Sequence, residues 1–426
     1  MLAASRLASD LAPYVARKRA EIALLANCLE APPPVPSLRN AAEVIDQKFK
    51  LGAALRAERS LASWAITETA RPERDTWQCG AFTLRYGYQR ADLEVRGPPV
   101  YPLLAAAGFA EETLYTTSGM SALAALFTAL AQEGPPTIRA ARAGYGETRE
   151  LVQRFGGRLR LAPWSRTRGR ADDAPCAVLV DSVSDIIPFR DDPLPRAARL
   201  VIFDTTCFAA ASGRIRRVVA WARRHDVPLA LVRSHAKLDA LGIEYGRLGS
   251  IVLSWRRAGP AAYSRGLVRE CRDSVRLLGS AAIPAHLPPF VGTPEYRRAS
   301  AARTAAIMRN ARLLARRLRA TPLRDAVKLY PHALYLTLAP RAELRVQDVK
   351  RTVGAFSEAL SAEGLAVRHA GSFGFDFTAL EWFTDPVTRR NVVRVAPGDL
   401  PASEMEGLAA AIASWFAAHA RRAPVA

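Results

Sequence analysis

The hydrophobic positions of the chain change their spacing near residue 75. Before that point, apolar residues recur at helical intervals over 1–30 and again over about 39–65. The proline-rich run Ala31–Pro36 separates these two predicted helices, because consecutive prolines cannot continue a helix. After residue 75, short unbroken apolar runs alternate with helical patterns. The clearest of these runs predict strands over 113–116, 177–181, 200–204, 229–233 and 250–254.

Strands that are apolar on both faces and separated by helices are typical of a mostly parallel sheet covered by helices. The sequence therefore predicts an α/β protein. Helices are predicted over 119–133, 146–156 and 212–225, and long helices over 265–320. The last hundred residues predict a smaller α+β domain, with strands near 333–338, 365–370 and 391–396 and helices near 346–362 and 402–420. The predicted parts are a helical extension (1–75), a large domain (76–265), connecting helices (266–325) and a small C-terminal domain (326–426).

Composition and charge exclude some classes of partner. A hydrophobic content of 50% in 426 residues argues against disorder. The net charge of +20 suggests nucleic-acid binding, but the excess is mostly arginine spread along an alanine-rich chain, without an interleaved aromatic-basic stripe. The arginine-rich stretch 301–319 could lie on a membrane, although a solvated outer face is the simpler interpretation. We therefore expect neither a nucleic-acid partner nor a membrane partner.

The cysteines give no sign of a metal or redox site. The five are far apart, and no pair has metal-ligand or redox-motif spacing, which fits a reducing cytoplasm. The first residues lack the continuous apolar core of a signal peptide, and no apolar run approaches the ~20 residues that span a bilayer. We expect a soluble cytoplasmic protein.

Two predicted strands end in groups that carry chemistry. Asp204 ends the strand 200–204, and Ser234 and Lys237 follow the next one. In parallel sheets, ligands bind beyond the carboxyl ends of the strands. A lysine amine can form a Schiff base with the aldehyde of pyridoxal phosphate, and an aspartate can face the protonated pyridine nitrogen. Taken alone, Asp204 could equally cap the next segment.

Three other segments fit the same cofactor or its substrate. Ser118-Gly119-Met120 opens a helix directly after a strand, where free N–H groups can bind phosphate, although serine is also a common N-cap. Tyr145 lies between two glycines, so its ring could stack on a planar cofactor or pack on the core. Arg394 has the forked guanidinium that suits a substrate carboxylate.

Together and in this order, these segments resemble the fold type I pyridoxal-phosphate enzymes of cysteine and methionine metabolism. That family includes cystathionine gamma-synthase, the cystathionine lyases and methionine gamma-lyase. The resemblance runs from about residue 80 to the C-terminus and leaves the first ~75 residues outside it. Its motifs correspond to Tyr88-Gln-Arg90, Ser118-Gly119-Met120, Tyr145-Gly-Glu-Thr148, Asp204-Thr-Thr-Cys207, Ser234-His-Ala-Lys237, Ser372-Phe-Gly374 and Arg394-Val-Ala-Pro-Gly398.

The resemblance implies pyridoxal 5'-phosphate as cofactor and an amino acid as substrate. Lys237 would form the Schiff base, and Tyr145 would stack on the cofactor and act as acid or base. Arg394 and Ser372 would bind the substrate carboxylate. Tyr88 and Arg90 would reach the phosphate in a neighbouring subunit, which implies a homodimer or homotetramer.

Departures from the family pattern put its usual sulfur substrates in doubt. Ala236 stands where a phosphate-binding threonine is usual, and Asp185 stands where an asparagine contacts the cofactor phenolic oxygen. The glycine-asparagine-proline expected soon after Arg90 is absent. These changes suggest a divergent member, one that serves specialised metabolism.

Three functions follow from this pattern. The first is γ-elimination or γ-replacement on an amino acid, with a thiol, an activated oxygen or a halide leaving, as in the alkyne-forming lyases that act on 4-chloro-allylglycine. The second is an aminotransferase or a carbon–carbon bond-forming enzyme on the same fold. The third, which intact Lys237, Asp204 and Arg394 disfavour, is a non-catalytic binding protein.

Overall fold

The structure is a computed structural model. It describes residues 2–67, 76–86, 93–141, 143–164, 174–184, 187–259, 261–340, 343–385 and 387–419. The chain divides into two compact units, each built from separate stretches of sequence. We call Arg56–Ala236 with Tyr245–Thr293 the sheet unit, and Met1–Leu55 with Lys237–Glu244 and Pro294–Ala426 the terminal unit. The four-part division expected from the sequence stays a prediction.

The helices lie close to where the hydrophobic pattern predicts them. For example, the helix predicted over 346–362 has those bounds in the structure, and the one predicted over 212–225 differs by one residue at each end. In the described residues the helices are α1 (Leu2–Ala26), α2 (Ala41–Thr67), α3 (Gly119–Glu133), α4 (Gly146–Arg154), α5 (Gly213–Arg224), α6 (Ala261–Leu277), α7 (Pro294–Arg319), α8 (Val346–Ala362) and α9 (Glu404–His419). No helix in these ranges combines the length and the hydropathy that a bilayer crossing requires.

The strands include all five of the clearest predicted runs and several that the pattern did not predict. They are β1 (Thr76–Cys79), β2 (Phe82–Tyr86), β3 (Leu93–Arg96), β4 (Phe109–Thr116), β5 (Thr137–Ala140), β6 (Arg160–Pro163), β7 (Cys176–Asp181), β8 (Ala198–Asp204), β9 (Leu229–Ser234), β10 (Gly249–Arg256), β11 (Val327–Leu329), β12 (Leu336–Leu338), β13 (Val367–His369), β14 (Thr378–Thr384) and β15 (Asn391–Ala396).

The sheet unit is built on a seven-stranded sheet with the order β4-β10-β9-β8-β7-β5-β6. Only β10 runs antiparallel to its neighbours, so the predicted α/β class with a mostly parallel sheet is confirmed. A separate antiparallel sheet has the order β1-β2-β3.

Both faces of the large sheet are covered, which explains the unbroken apolar runs within its central strands. In β7, Ala177 and Leu179 belong to one buried cluster, with residues of α3, α4 and α6. Val178 and Val180 belong to another, with residues of α5. Because successive side chains of a strand point to opposite faces, burial on both sides requires an unbroken apolar run. These two layers hold the carboxyl ends of the strands in fixed register.

The terminal unit has a five-stranded sheet with the order β11-β12-β15-β14-β13. Helix α8 packs against β13, β14 and β15, and α7 packs against α1 and α9. The N-terminal helix α1 thus belongs to the same compact unit as the C-terminal helices.

Candidate active site

Six of the seven strands run in the same direction and so end at one edge of the large sheet, and four of them matter for the site. Strands β4, β7, β8 and β9 run in the same direction, since β10 is antiparallel to both β4 and β9. The register pairs Asp181 with Asp204 across β7 and β8. Gly249 of β10 pairs with both Thr116 and Ser234. The ends of β4, β8 and β9, which precede or carry several predicted cofactor residues, therefore meet at the edge where ligands of parallel sheets bind.

The N-terminus of α3 packs closely against the end of β9. A side chain at Gly119 would put its Cβ 3.0 Å from Ser234 Cβ, so glycine permits this approach. Ser118 caps the helix, because its Oγ accepts a hydrogen bond from Ser121 N at 3.0 Å. The N-cap alternative considered for Ser118 is thus observed, and its contact with phosphate stays a prediction. Ser121 Oγ also lies 2.9 Å from Thr117 Oγ1.

Further polar groups surround this helix end. Ser234 N donates to Thr206 Oγ1 at 3.1 Å, and Thr206 N donates to Asp204 Oδ1 at 2.9 Å. Met120 is half-buried against the hydrophobic core, so its side chain serves packing there. Backbone N–H groups and hydroxyls at a helix N-terminus suit a phosphate dianion, and these residues therefore fit the phosphate of pyridoxal phosphate. Sequence analysis missed Thr206 and Ser121, although both are hydroxyl residues beside predicted site residues.

Asp181 is a buried carboxylate that the sequence analysis did not single out. Its Oδ2 accepts a hydrogen bond from Tyr145 N at 2.6 Å, and its Oδ1 accepts one from Val183 N at 2.7 Å. Burial, followed by the nearby charge of Asp204, raises the pKa of Asp181 to about 7, against the lowering effect of those two backbone bonds. Burial and the neighbouring Asp204, its register partner on β8, thus favour the protonated form of Asp181 more than in a free aspartate.

Tyr145 is the residue that precedes the first turn of α4 and is half-buried. A side chain on Gly144 would bring its Cβ to 3.3 Å from Asp181 Oδ2, so the small residue lets Asp181 reach the backbone of the turn. On the other side, a side chain on Gly146 would meet no atom within 4 Å in the described chain. The end of β7 thereby fixes the backbone that carries the tyrosine ring.

Lys237 belongs to the terminal unit, three residues after the end of β9. Its Nζ donates to Ser372 Oγ at 2.9 Å and lies 5.6 Å from the centre of the Phe373 ring. Gly374 has a φ of +95°, and a side chain there would put its Cβ 2.7 Å from the Lys237 carbonyl oxygen. The structure thus brings together Lys237 and Ser372, two predicted site residues that are far apart in sequence.

Arg394 is buried and ion-paired. Its guanidinium binds Glu381, which is its register partner on the adjacent strand β14, and it lies 5.2 Å from the centre of the Tyr335 ring. Arg394 Nε is buried and has no hydrogen-bond partner among the described residues. A side chain on Gly371, the neighbour of Ser372, would put its Cβ 2.6 Å from Glu381 Oε1. Sequence analysis missed Glu381, since nothing in its own segment marks it.

The predicted residues thus fall into three sets. Ser118, Gly119, Met120, Tyr145, Asp204 and Ser234 lie in the sheet unit, and Lys237, Ser372 and Arg394 lie in the terminal unit. Tyr88, Arg90 and Asp185 lie outside the described residues. Their assigned roles stay predictions.

No protein-family model and no curated protein matches the chain. Solved structures give distant likenesses. A methionine gamma lyase from Micromonospora echinospora is 16% identical with a TM-score of 0.45, and the match covers 71% of this chain and 80% of that one. An aromatic amino acid aminotransferase from Burkholderia cenocepacia is 18% identical with a TM-score of 0.43, and the match covers 74% and 77%. Scores this low carry no argument about family, substrate or reaction.

Proposed function

We propose that the chain is a pyridoxal-phosphate enzyme that acts on an amino acid by elimination or replacement at Cγ. The observation that carries the proposal is the arrangement at the edge of the large sheet. There the N-terminus of α3 meets Ser234, and Asp204 lies at the end of the adjacent strand. The lysine that the chemistry requires follows Ser234 by three residues.

Each of these groups has a role that its chemistry suits. The N–H groups of α3 and the hydroxyls of Ser118 and Ser234 would bind the cofactor phosphate. The Asp204 carboxylate would accept a hydrogen bond from the ring nitrogen and keep it protonated. When bound, pyridoxal phosphate supplies a ring that withdraws electrons and so stabilises negative charge at the substrate Cα.

Lys237 would move the protons. In the resting protein its Nζ would carry the covalent attachment to the cofactor aldehyde. With substrate bound, the neutral Nζ would accept the proton from Cα, and it would have to pass that proton on to the bound cofactor before it could accept the proton from Cβ. Ser372 Oγ, at 2.9 Å, would orient that amine through its hydrogen bond. Tyr145 would supply or accept a proton at the leaving group.

Arg394 would bind the substrate carboxylate in a bidentate manner. Because Glu381 already pairs with this guanidinium, the substrate carboxylate would have to compete with it. The proposal includes a thiol, an activated oxygen or a halide as leaving group, with γ-chloro amino acids of the 4-chloro-allylglycine type among the substrates. It also includes a homodimer or homotetramer in which Tyr88 and Arg90 reach a neighbouring subunit.

The first test is covalent attachment at one lysine. The purified protein is mixed with pyridoxal phosphate, its absorbance near the visible is recorded, and the adduct is fixed by borohydride reduction and located by peptide mass spectrometry. We expect the adduct on Lys237 in the wild type. We expect it also in the control Lys50→Met, because the replaced Lys50 is an exposed side chain that forms an ion pair with the exposed Asp46. Lys237→Ala should give neither the band nor the adduct. An adduct confined to other lysines would disprove the role of Lys237.

The second test addresses the reaction. Amino acids with different γ substituents are screened for release of the leaving group and ammonia, and for the organic product. Turnover by the wild type and its loss in Lys237→Ala are expected. Formation of a keto acid together with pyridoxamine phosphate, without release of the γ group, would instead identify a transaminase.

A further inference from the structure

A cluster of buried charges lies inside the terminal unit. It joins α1, α2 and α7 to two loops of the C-terminal part, and each of its side chains is at most 2% exposed. Three buried cations face three buried carboxylates, and the partly exposed Arg17 also pairs with Glu21 and Asp399 at the edge of the cluster. The members are Lys18, Glu21, Lys48, Arg303, Asp376 and Asp399.

The charges form a network in which each group has at least two partners of opposite sign. Lys18 Nζ lies 2.5 Å from Asp376 Oδ1 and 2.6 Å from Asp399 Oδ2. Lys48 Nζ lies 2.6 Å from Glu21 Oε2 and 2.6 Å from Asp376 Oδ2. Buried ion pairs are poor stabilisers compared with apolar residues of similar volume. A network of this size therefore suggests a purpose beyond stability.

The network contacts the segment Lys237–Glu244, which begins with the proposed catalytic lysine. Lys48 Nζ donates to the Leu241 carbonyl oxygen at 2.6 Å. Leu241 has a left-handed φ of +50°, which is unfavourable for a leucine, and Gly242 follows with a φ of +80°. A backbone in this conformation persists only where its surroundings impose it, and Lys48 binds the carbonyl of the strained residue itself.

A second connection reaches the other side of the lysine. Arg303 Nη2 donates to the Gly374 carbonyl oxygen at 2.8 Å, and Gly374 lies against the Lys237 carbonyl. A side chain on Gly242 would collide with Arg303 Nη2. The same guanidinium thus lies against the segment that begins with Lys237 and binds the loop that carries its partner Ser372.

We propose that Lys48, supported by the charge cluster, is a positioning residue for Lys237. The N-terminal helices then have a role in the site, because they supply Lys18, Glu21 and Lys48. They hold the strained backbone after Lys237 so that its amine keeps one orientation. This inference rests on the proposed function, in which Lys237 carries the cofactor.

The test removes the Lys48 donor while it keeps the buried charge balanced. Lys48→Met alone would leave the buried cluster with fewer buried cations than carboxylates and could prevent folding. The double variant Lys48→Met/Glu21→Gln removes one charge of each sign. Lys50→Met, two residues along the same helix and exposed, is the matched control.

The first readout is hydrogen exchange in the cofactor-free proteins. Ile243 N donates to the Ala240 carbonyl oxygen, so its exchange reports on the segment directly. In the double variant we expect exchange over residues 237–244 to rise about tenfold or more, the factor for losing one hydrogen bond from a charged donor, while α8 stays protected. Exchange equal to that of the control would overturn the inference. So would a loss of protection spread evenly over α7, α8 and α9, since positioning requires a local effect.

The second readout is the rate of borohydride-trapped attachment of pyridoxal phosphate to Lys237. The double variant should be about tenfold slower than Lys50→Met. Equal rates would overturn the positioning role even if the segment exchanged faster. Should the wild type fail to attach the cofactor at all, the proposed function fails, and hydrogen exchange alone then decides whether Lys48 holds the segment.

Discussion

Gly374→Ala tests whether the site needs the close contact between the backbone of Gly374 and the carbonyl group of Lys237. The glycine has a φ of +95°, and an added Cβ would lie 2.7 Å from the Lys237 carbonyl oxygen and 2.9 Å from its carbonyl carbon. Both atoms belong to the backbone, so neither can rotate away as the end of a side chain could. Either the Lys237 segment or the loop must move by several tenths of an ångström.

The expected loss of folding free energy in Gly374→Ala has two parts, and another glycine of the chain provides a control for one of them. An alanine in a left-handed conformation costs roughly 1–2 kcal/mol. Gly364 has a φ of +80° with nothing within 4 Å of an added Cβ, so Gly364→Ala carries this part alone. Gly374→Ala adds the overlap with Lys237, for which overpacking typically costs about 1–3 kcal/mol. We expect about 2–5 kcal/mol for Gly374→Ala and about 1–2 kcal/mol for Gly364→Ala.

Two measurements separate the effects. Denaturant unfolding gives the free energy of unfolding of each variant. Borohydride trapping with pyridoxal phosphate then gives the rate of attachment at Lys237 under conditions where each variant is folded. Gly374→Ala should slow the attachment, because the carbonyl of the reacting residue is displaced, and Gly364→Ala should leave the rate unchanged. Equal losses of stability in the two variants, together with equal trapping rates, would refute the reasoning from close contact.

Two further predictions concern charge. Glu381→Gln removes the carboxylate that pairs with Arg394 and would compete with the substrate carboxylate. The KM for an amino-acid substrate should therefore fall about fivefold at similar kcat, which is the factor for a partly exposed ion pair. A higher KM would mean that Glu381 orients the arginine for binding. In the buried cluster, desolvation raises the pKa of Asp399. The charge of Lys18 and the hydrogen bond from Arg17 outweigh this effect and lower that pKa from 3.8 to about 2. Ionised Asp399 therefore stabilises the protein above about pH 4, and this contribution of about 2 kcal/mol is lost as the pH falls towards 2. In Asp399→Asn, the free energy of unfolding measured with denaturant should fall less steeply between pH 5 and 2 than in the wild type.

The sequence predicted the central strands well because their burial has a local signature. In β7, every residue from Cys176 to Asp181 is buried, and the run is apolar up to its last position. The strands β1 to β3 lack this signature. In β1 and β3, more buried and more exposed positions alternate, so apolar and polar residues alternate in the sequence. In β14, the charged residue Glu381 interrupts the apolar run, and the strand is only half-buried from that position onwards.

The sequence could predict those residues of the candidate site whose type and position at the end of a strand are enough to indicate their chemistry. Lys237, Asp204 and Ser118 are of this kind. Their partners were not predictable, because sheet register and loop packing determine them. Asp181 becomes a site residue through its register with Asp204, and Glu381 through its register with Arg394. Neither relation leaves a mark in the local sequence.

The buried charge cluster shows the same limit over the whole length of the chain. Lys18 and Glu21 are three residues apart on α1, which is ordinary spacing for a surface ion pair on a helix. Their burial depends on Asp376 and Asp399, more than 350 residues further along. The sequence therefore indicated only a helical extension for the N-terminal helices, although they carry half of the buried charges of the cluster.

Backbone strain is concentrated in the short segment that the buried charge cluster contacts. Among the described residues, five that are not glycine have a positive φ, and two of them, Leu241 and Glu244, lie within the eight residues Lys237–Glu244. Each such residue costs free energy, and so does each charge removed from water, so a chain selected for stability alone would keep neither. In the positioning role proposed above, this contact between the cluster and the strained segment would set the orientation of the Lys237 amine. If relief of the strain at Glu244, by Glu244→Gly, stabilised the protein and left attachment at Lys237 unchanged, the strain would belong to the turn alone, and the orienting role would depend on Lys48 and Arg303.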